Sequence, residues 1–96
     1  MKVVAFAATN HKKSINKQLV EYAAGLLTKV EVEILDLNDY ELPLYSQDKE
    51  AELGHPELAR AFLAKITESC GVLISFAEHN GSYTVAYKNI FDWCSR

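Results

Sequence analysis

The fold is decided by residues 2–8, KVVAFAA, and by the polar residues 9–14, TNHKKS, that follow them. The apolar run is short and contains two adjacent Val residues, a pattern typical of a strand buried on both faces of a parallel sheet. A second run of this type occupies residues 70–77, CGVLISFA. Residues 30–37, VEVEILDL, alternate apolar and acidic side chains, which predicts another strand at a sheet edge with one wetter face.

Helical periodicity separates the predicted strands. Ser14 is a suitable N-cap for a first helix, Pro56 fits the first turn of a second, and Ser82 or Thr84 caps a third. Apolar residues at spacings of three and four define the helix faces that we expect to be buried. These faces comprise Ile15, Leu19, Ala23, Leu26, Leu27 and Val30 in the first helix, Leu58, Phe62 and Ile66 in the second, and Ala86, Ile90, Trp93 and Cys94 in the third.

The order of these elements, β-α-β-loop-α-β-α, predicts an α/β fold with a parallel sheet and the strand order 2-1-3. In such a sheet, ligands bind at the carboxyl ends of the strands where the strand order reverses. Residues 9–14 and 77–82 follow two such ends, so we expect them to form the walls of a ligand cleft. Residues 38–55 are predicted to be a long irregular loop, which packs beside the ligand or across a subunit contact through Tyr40, Leu42, Leu44 and Tyr45.

Composition and charge narrow the classes of function. The chain has 96 residues, 49% of them apolar, and a net charge of -3, which is ordinary for one globular domain. No apolar run approaches a membrane span and no secretory leader is evident, so we expect a cytoplasmic protein with no membrane partner. Cys70 and Cys94 lie far apart and are expected to be reduced. His11, His55 and His79 lie in separate loops and the basic cluster is small, which argues against a metal site and a nucleic-acid partner.

The polar loop of residues 9–14 leads directly into the first predicted helix. The start of a helix carries free N–H groups and a partial positive charge, and here Thr9, Ser14 and two lysines surround it. Neither the GxGxxG fingerprint nor the GxxxxGK[ST] loop is present, so one terminal phosphate fits better than a pyrophosphate or a triphosphate. The alternative is that Ser14 is only a helix cap and that the lysines form a solvated face.

Residues 77–82, AEHNGS, form the other wall of the predicted cleft. Asn80-Gly81 favours a turn with positive φ, which would let the backbone approach a flat ligand closely. Backbone N–H and C=O groups there would bond to the edge of a heteroaromatic ring. The alternative is a tight turn that carries His79 on the surface.

Three stretches occur in one order and spacing: residues 8–16, ATNHKKSIN, residues 41–48, ELPLYSQD, and residues 77–93, AEHNGSYTVAYKNIFDW. Together they resemble the NADPH-dependent FMN reductase family, a flavodoxin-like group that includes quinone, azo-dye and chromate reductases. The family pattern is G-S-x-R-x-x-S-x-N in the phosphate loop, P-E-Y-N-x-S in the flavin loop, and K-N-x-x-D-W in the helix that follows. The resemblance covers nearly the whole chain.

The resemblance implies an FMN site built from both loops. The residues expected around the FMN phosphate are Thr9, His11, Ser14, Ile15 and Asn16. The residues expected along the isoalloxazine ring, mainly through backbone groups, are Ala77, Glu78, His79, Asn80, Gly81 and Ser82. The residues expected to be structural, against the flavin loop or a neighbouring subunit, are Lys88, Asn89, Asp92 and Trp93.

The same resemblance implies an NAD(P)H-dependent, FMN-containing oxidoreductase. A hydride would pass from NADPH or NADH through FMN to a quinone-like or other small-molecule acceptor, and no side chain is nominated as acid, base or nucleophile. The resemblance also implies a homodimer or homotetramer. Two alternatives stay open: an FMN electron carrier without nicotinamide activity, and a truncated or non-catalytic flavodoxin-like module.

Four positions depart from the family pattern: Ala8 replaces Gly, His11 replaces Arg, Ala77 replaces Pro and His79 replaces Tyr. The family fold also continues through two more strands and a later Gly-rich loop. We therefore expect residues 1–96 to form a single, truncated flavodoxin-like FMN-binding domain that lacks the last two strands. It would be a fragment of a longer product or a half-domain that pairs with another chain.

Overall fold

Three parallel strands form the central sheet of the computed structural model, which describes residues 1–96. The strands are β1 (Lys2–Ala8), β2 (Glu31–Leu35) and β3 (Gly71–Phe76), in the order β2-β1-β3. In the register of the central strand, Phe6 is paired with Leu35 on one side and with Ile74 on the other. The predicted parallel α/β sheet with strand order 2-1-3 is confirmed.

The helices are α1 (Ile15–Gly25), α2 (Gln47–Leu53), α3 (Glu57–Glu68) and α4 (Val85–Cys94), with a short 3-10 helix at Leu37–Tyr40. The prediction of an irregular loop over residues 38–55 was wrong, because this segment contains the 3-10 helix and α2. Both begin at local caps: Asp36 accepts a hydrogen bond from the Asn38 N–H at 2.9 Å, and the Ser46 hydroxyl accepts one from the Lys49 N–H at 3.0 Å. No helix has the length and apolar character that a membrane span requires.

The side chains of β1 alternate between two layers of the core. Val4 and Phe6 point to the face covered by α3 and α4, where the Phe6 and Phe62 rings meet edge to face with centroids 5.3 Å apart. Ala5 and Ala7 point to the opposite face, which is covered by α1. Because alanine is small, α1 can pack closely on β1.

The buried face of α1 differs from the predicted one. Val20 and Ala24 are buried, whereas Ile15, Leu19 and Leu26 are 77%, 56% and 64% exposed. Apolar residues on α1 occupy two faces at helical spacing, and periodicity alone cannot tell which one meets the sheet. The small residues on the sheet side decided the packing, so the predicted stripe of Ile15, Leu19, Ala23, Leu26, Leu27 and Val30 is largely wrong as a buried face.

The other two helices follow the predicted pattern more closely. In α3, Phe62 is buried and Ile66 packs on the core, but Ala59 replaces Leu58, which is 40% exposed, as the second buried residue. In α4, the predicted face is confirmed, with two members buried and two partly buried against the core: Ile90, Trp93, Ala86 and Cys94. Its N-cap is Thr84, one of the two predicted candidates, whereas Ser82 lies outside the helix.

The segment between β2 and α2 is anchored to α4. The Trp93 indole N–H donates to the Pro43 carbonyl at 2.8 Å, and the Asn89 side-chain oxygen accepts from the Tyr45 N–H at 2.8 Å. The Tyr45 ring also packs edge to face on Trp93, with centroids 5.0 Å apart. The sequence predicted that four side chains of this segment contact a ligand or a second subunit. Three of them, Tyr40, Leu42 and Tyr45, pack within the chain, whereas Leu44 is 73% exposed.

The outer edge of the sheet at β2 carries an ion-pair cluster. The Glu33 carboxylate lies 2.8 Å from the Lys65 ammonium of α3 and 3.0 Å from the Lys2 ammonium of β1. Lys65 first, and then Lys2, lower the pKa of Glu33 from its ordinary value of 4.5. The acidic face that the sequence predicted for β2 therefore lies toward α3, where the charge of Glu33 is paired.

This cluster makes part of the stability pH-dependent. Because the pKa of Glu33 is lower in the folded chain, its contribution is present above the unfolded pKa and is lost as the pH falls through the folded pKa. We expect Glu33→Gln to reduce the free energy of unfolding modestly near pH 7 and to have a diminishing effect below about pH 4.5. Urea unfolding over a pH series measures this difference. Glu31→Gln, on the same strand but without an ion pair, is the matched control, and an equal, pH-independent effect of both would contradict the assignment.

Candidate functional site

The first wall of the candidate site is the start of α1, where the chain leaves the carboxyl end of β1. Ser14 caps the helix, and its hydroxyl accepts from the Asn16 N–H at 3.0 Å. Its carbonyl accepts from the next backbone donors of the helix. The backbone N–H groups without an acceptor in the chain are those of Asn10, Lys12, Lys13 and Ile15. Such a set of free donors at the positive end of a helix is suited to an anion.

The side chains of this loop have separate roles. Thr9 is buried, and its hydroxyl accepts from the His11 N–H at 3.2 Å, which shapes the loop. The His11, Lys12 and Lys13 side chains are exposed. Lys17 lies 3.6 Å from the Asp36 carboxylate, whereas Lys12 and Lys13 form no ion pair. Lys12 and Lys13 are therefore the lysines of this loop whose charge is not taken up by an ion pair.

Asn16 and Ile15, both predicted around the phosphate, differ in the placement of their side chains. The Asn16 side-chain oxygen accepts a hydrogen bond from the Ser75 hydroxyl at 2.7 Å, which ties the first turn of α1 to the end of β3. The Ile15 side chain is 77% exposed. Asn16 thus positions the loop through its side chain, and Ile15 contributes a backbone N–H that has no acceptor in the chain.

The second wall is the loop after β3. His79 and Ser82 exchange two backbone hydrogen bonds, of 3.0 and 3.1 Å, around a turn with Asn80 at φ 55° and Gly81 at φ 80°. The predicted positive-φ turn is confirmed, and it favours Asn and Gly at these two positions. The Gly81 N–H donates to the Glu78 carboxylate at 2.7 Å. Because His79, Gly81 and Ser82 use their N–H groups within the loop, the N–H groups of Ala77, Glu78 and Asn80 are left without an acceptor in the chain.

Thr84 joins the two walls. Its side chain is buried, and its hydroxyl donates to the Ala8 carbonyl at 2.8 Å and accepts from the Tyr87 N–H at 3.1 Å. One hydroxyl therefore caps α4 and holds the loop after β3 against the end of β1. The sequence indicated Thr84 as a possible cap only, because its second partner lies 76 residues away in the chain.

A cavity of about 400 Å³ opens beside these walls, and its third wall comes from the segment after β2. The Asn38 amide of that segment donates to the Asn10 carbonyl at 3.0 Å. Of the predicted site residues, only His79 lines this cavity, while Thr9 and His11 line a narrower crevice beside Asp36. The third wall, which the sequence did not assign to the site, contributes Leu37, Asn38, Tyr40, Glu41, Leu42 and Leu44.

The site therefore offers anion-binding backbone donors, nearby cations and a partly apolar cavity. The Asp36 carboxylate has a lowered pKa, caused chiefly by the Asn38 N–H, and remains charged beside Lys17. No group of three or more His, Cys, Asp or Glu side chains is arranged to hold a metal ion. The free N–H groups at the start of α1 fit one terminal phosphate.

Comparison with known proteins places these features in a family. The model of the family described as NADPH-dependent FMN reductase matches residues 1–96. A 2-hydroxy-1,4-benzoquinone reductase from Burkholderia sp is 36% identical over 97 residues, covering 100% of this chain and 51% of the relative. An NADPH:quinone oxidoreductase from Arabidopsis thaliana is 30% identical over 100 residues, covering 100% of this chain and 50% of the relative.

A solved structure supports the same placement. FerB, a flavoenzyme NAD(P)H:(acceptor) oxidoreductase from Paracoccus denitrificans, superposes with a TM-score of 0.77 at 30% identity. The match covers 99% of this chain and 50% of that protein, and the predicted flavodoxin-like fold is confirmed. The chain spans about half the length of the curated relatives it matches.

The linking role of Thr84 can be tested by substitution. Thr84→Val keeps the shape of the side chain but leaves the buried Ala8 carbonyl and the Tyr87 N–H without their partner. We expect a loss of about 1–3 kcal/mol in the free energy of unfolding, measured by urea denaturation at pH 7. Thr84→Ser retains the hydroxyl and should lose clearly less. If both variants lost the same amount, packing and not the hydroxyl would be the source of the stability.

Proposed function

The chain belongs to the NADPH-dependent FMN reductase family, and on that premise we propose that it forms the FMN-binding part of an NAD(P)H-dependent oxidoreductase. The observation that carries this proposal is the set of free N–H groups at the start of α1, with Lys12 and Lys13 beside it. A terminal phosphate would accept hydrogen bonds from these donors and be neutralised by the two lysines. The Thr9 and Ser14 hydroxyls stabilise the loop by accepting backbone hydrogen bonds within it, and the Asn16 side chain fixes the loop against β3.

The turn at Asn80-Gly81 supplies the other contact in this proposal. Residues 77–82 would lie along the edge of the flavin ring, with the Glu78 and Asn80 N–H groups as donors. FMN, when bound, supplies hydride transfer between a nicotinamide and an acceptor, and the chain supplies position and surroundings. Thr84 keeps the ring-facing loop at a fixed distance from the phosphate-facing loop through its bond to the Ala8 carbonyl.

The acceptor in this proposal is a small quinone. The Burkholderia relative is named for the reduction of a benzoquinone, and the plant relative for quinones in general. The cavity beside His79 is lined in part by the apolar side chains of Leu42, Leu44 and Val85, which would contact a flat, uncharged molecule. Both cysteines are free thiols, which supports placement in the reducing cytoplasm.

A flavin titration tests the phosphate-binding loop directly. We expect FMN fluorescence to be quenched saturably by the 96-residue chain, and Ser14→Asp to weaken FMN binding at least about tenfold by placing like charge at the phosphate. Aspartate is itself a good N-cap, so α1 should remain folded. Ser46→Asp makes the same change at the cap of α2, away from the site, and should leave FMN binding unchanged.

Riboflavin, which lacks the phosphate, separates the phosphate contact from the ring contact. Ser14→Asp should leave the weaker binding of riboflavin nearly unchanged, so an equal loss for both flavins would contradict the phosphate assignment. Steady oxidation of NADPH with a benzoquinone acceptor, measured on the FMN-loaded chain, then distinguishes a reductase from an FMN electron carrier. FMN binding without nicotinamide oxidation would favour the carrier, and no FMN binding by the folded chain would favour a non-catalytic module.

A further inference from the structure

Ser75 carries the one polar side chain of strand β3, which reads GVLISF. It is buried and lies opposite Ala7 in the register of the parallel pair, on the face of the sheet where Ala5 and Ala7 pack beneath α1. An alanine in place of Ser75 would let α1 approach just as closely, so packing does not account for the hydroxyl group. A buried hydroxyl needs a hydrogen-bond partner, and the partner of Ser75 lies in α1.

This partner is the side-chain amide of Asn16. The Ser75 hydroxyl donates to the Asn16 side-chain oxygen at 2.7 Å, across a separation of 59 positions in the chain. An amide carries its oxygen and its NH2 group on two different sides of one carbon atom. The bond that holds the oxygen against β3 therefore turns the NH2 group away from the sheet.

The Asn16 NH2 group is not used by the chain. The Asn16 backbone N–H donates to the Ser14 hydroxyl and the side-chain oxygen accepts from Ser75, but the NH2 group donates to no acceptor. No side-chain nitrogen or oxygen is buried without a partner, so this NH2 group is open to solvent. Asn16 is the second residue of α1, and Cα–Cβ bonds tilt toward the N-terminus of a helix. The NH2 group therefore lies toward the start of α1, where the free backbone N–H groups are found.

Stability alone does not explain an amide at this position. Aspartate is favoured over asparagine in the first turn of a helix, because its charge complements the helix dipole. It would also accept the hydrogen bond from Ser75. The first turn of α1 nevertheless contains no acidic residue. The NH2 group is what asparagine has and aspartate lacks, and it is a donor suited to an anion.

We propose that Ser75 is a positioning residue for the phosphate of the flavin: its hydroxyl fixes the Asn16 amide so that the NH2 group, and not the oxygen, is presented to the phosphate. An NH2 group donates to phosphate oxygens, whereas an amide oxygen repels them. The Ser75 hydroxyl and a bound phosphate thus favour the same orientation of the amide. Ser75 is buried beneath α1 and acts only through Asn16. The role of Ser75 rests on the proposed function, because it belongs to the same FMN site.

Paired titrations with FMN and riboflavin test this role, since only FMN carries the phosphate. We expect Ser75→Ala to weaken FMN binding about threefold to tenfold, and riboflavin binding to stay within about twofold. Ser75→Thr restores the hydroxyl group and should recover most of the FMN affinity. Ser69→Ala removes a hydroxyl that also donates at 2.7 Å, to the Ile66 carbonyl at the amino end of β3, and should change the binding of neither flavin. Circular dichroism should show all three variants folded.

Asn16→Asp tests the polarity of the amide without a change of shape. The carboxylate still accepts from Ser75 and suits the start of a helix, so α1 should remain folded. It replaces the NH2 group with negative charge, so FMN binding should weaken more than about tenfold, with riboflavin binding nearly unchanged. In the unsubstituted chain, the NMR signals of the Asn16 NH2 group should shift on addition of FMN or inorganic phosphate, and not on addition of riboflavin.

The results that would overturn the role of Ser75 differ in what they leave standing. If the unsubstituted chain binds FMN, and Ser75→Ala weakens both flavins equally or neither, Ser75 has no role toward the phosphate, whereas the proposed function stands. The same holds if Asn16→Asp binds FMN as tightly as the unsubstituted chain. A folded chain that binds no FMN would overturn both the role of Ser75 and the proposed function.

Discussion

The burial of β1 on both faces is the constraint on which the rest of the structure depends. Val4, Ala5, Phe6 and Ala8 are at most 1% exposed, so both sides of this strand must be covered and both of its edges paired. Val4 and Phe6 pack in the layer with α3 and α4, and Ala5 and Ala7 pack in the layer with α1. Because β1 is central, its carboxyl end necessarily lies between the ends of β2 and β3, where the candidate site is found.

Two hydrogen bonds convert this arrangement into a defined site. The Ser75 hydroxyl bonds to Asn16, and the Thr84 hydroxyl bonds to the Ala8 carbonyl, so each wall is tied to the neighbouring strand end. These bonds hold in place two loops that are otherwise largely exposed. These polar side chains are occupied in fixing the backbone of the two loops. The groups that remain free to bind a ligand are therefore mainly backbone N–H groups.

The two edges of the sheet, at β2 and at β3, differ in charge and in exposed apolar surface. At β2, Glu33 is paired with Lys2 and Lys65, and charge of this kind discourages pairing with another strand. At β3 there is no charge, and apolar surface continues onto a helix on each face of the sheet. The two edges of the sheet therefore differ in charge and in the amount of exposed apolar surface.

The sequence by itself determined the features that depend on near neighbours in the chain. The three strands, the Ser14 cap and the Asn80-Gly81 turn follow from apolar patterning, capping chemistry and backbone preference, each of which acts over a few residues. The strand order followed from the alternation of strands and helices along the chain together with the rules for parallel crossovers. The family resemblance, carried by short motifs, was likewise confirmed, whereas the residues that it implies around FMN stay a prediction.

Only the tertiary structure decided which face of α1 is buried, how Thr84 joins the two walls, and that the segment after β2 forms the third wall of the cavity. These features depend on contacts between residues far apart in the chain, and helical periodicity gives the same signal for a face that meets the sheet and a face that does not.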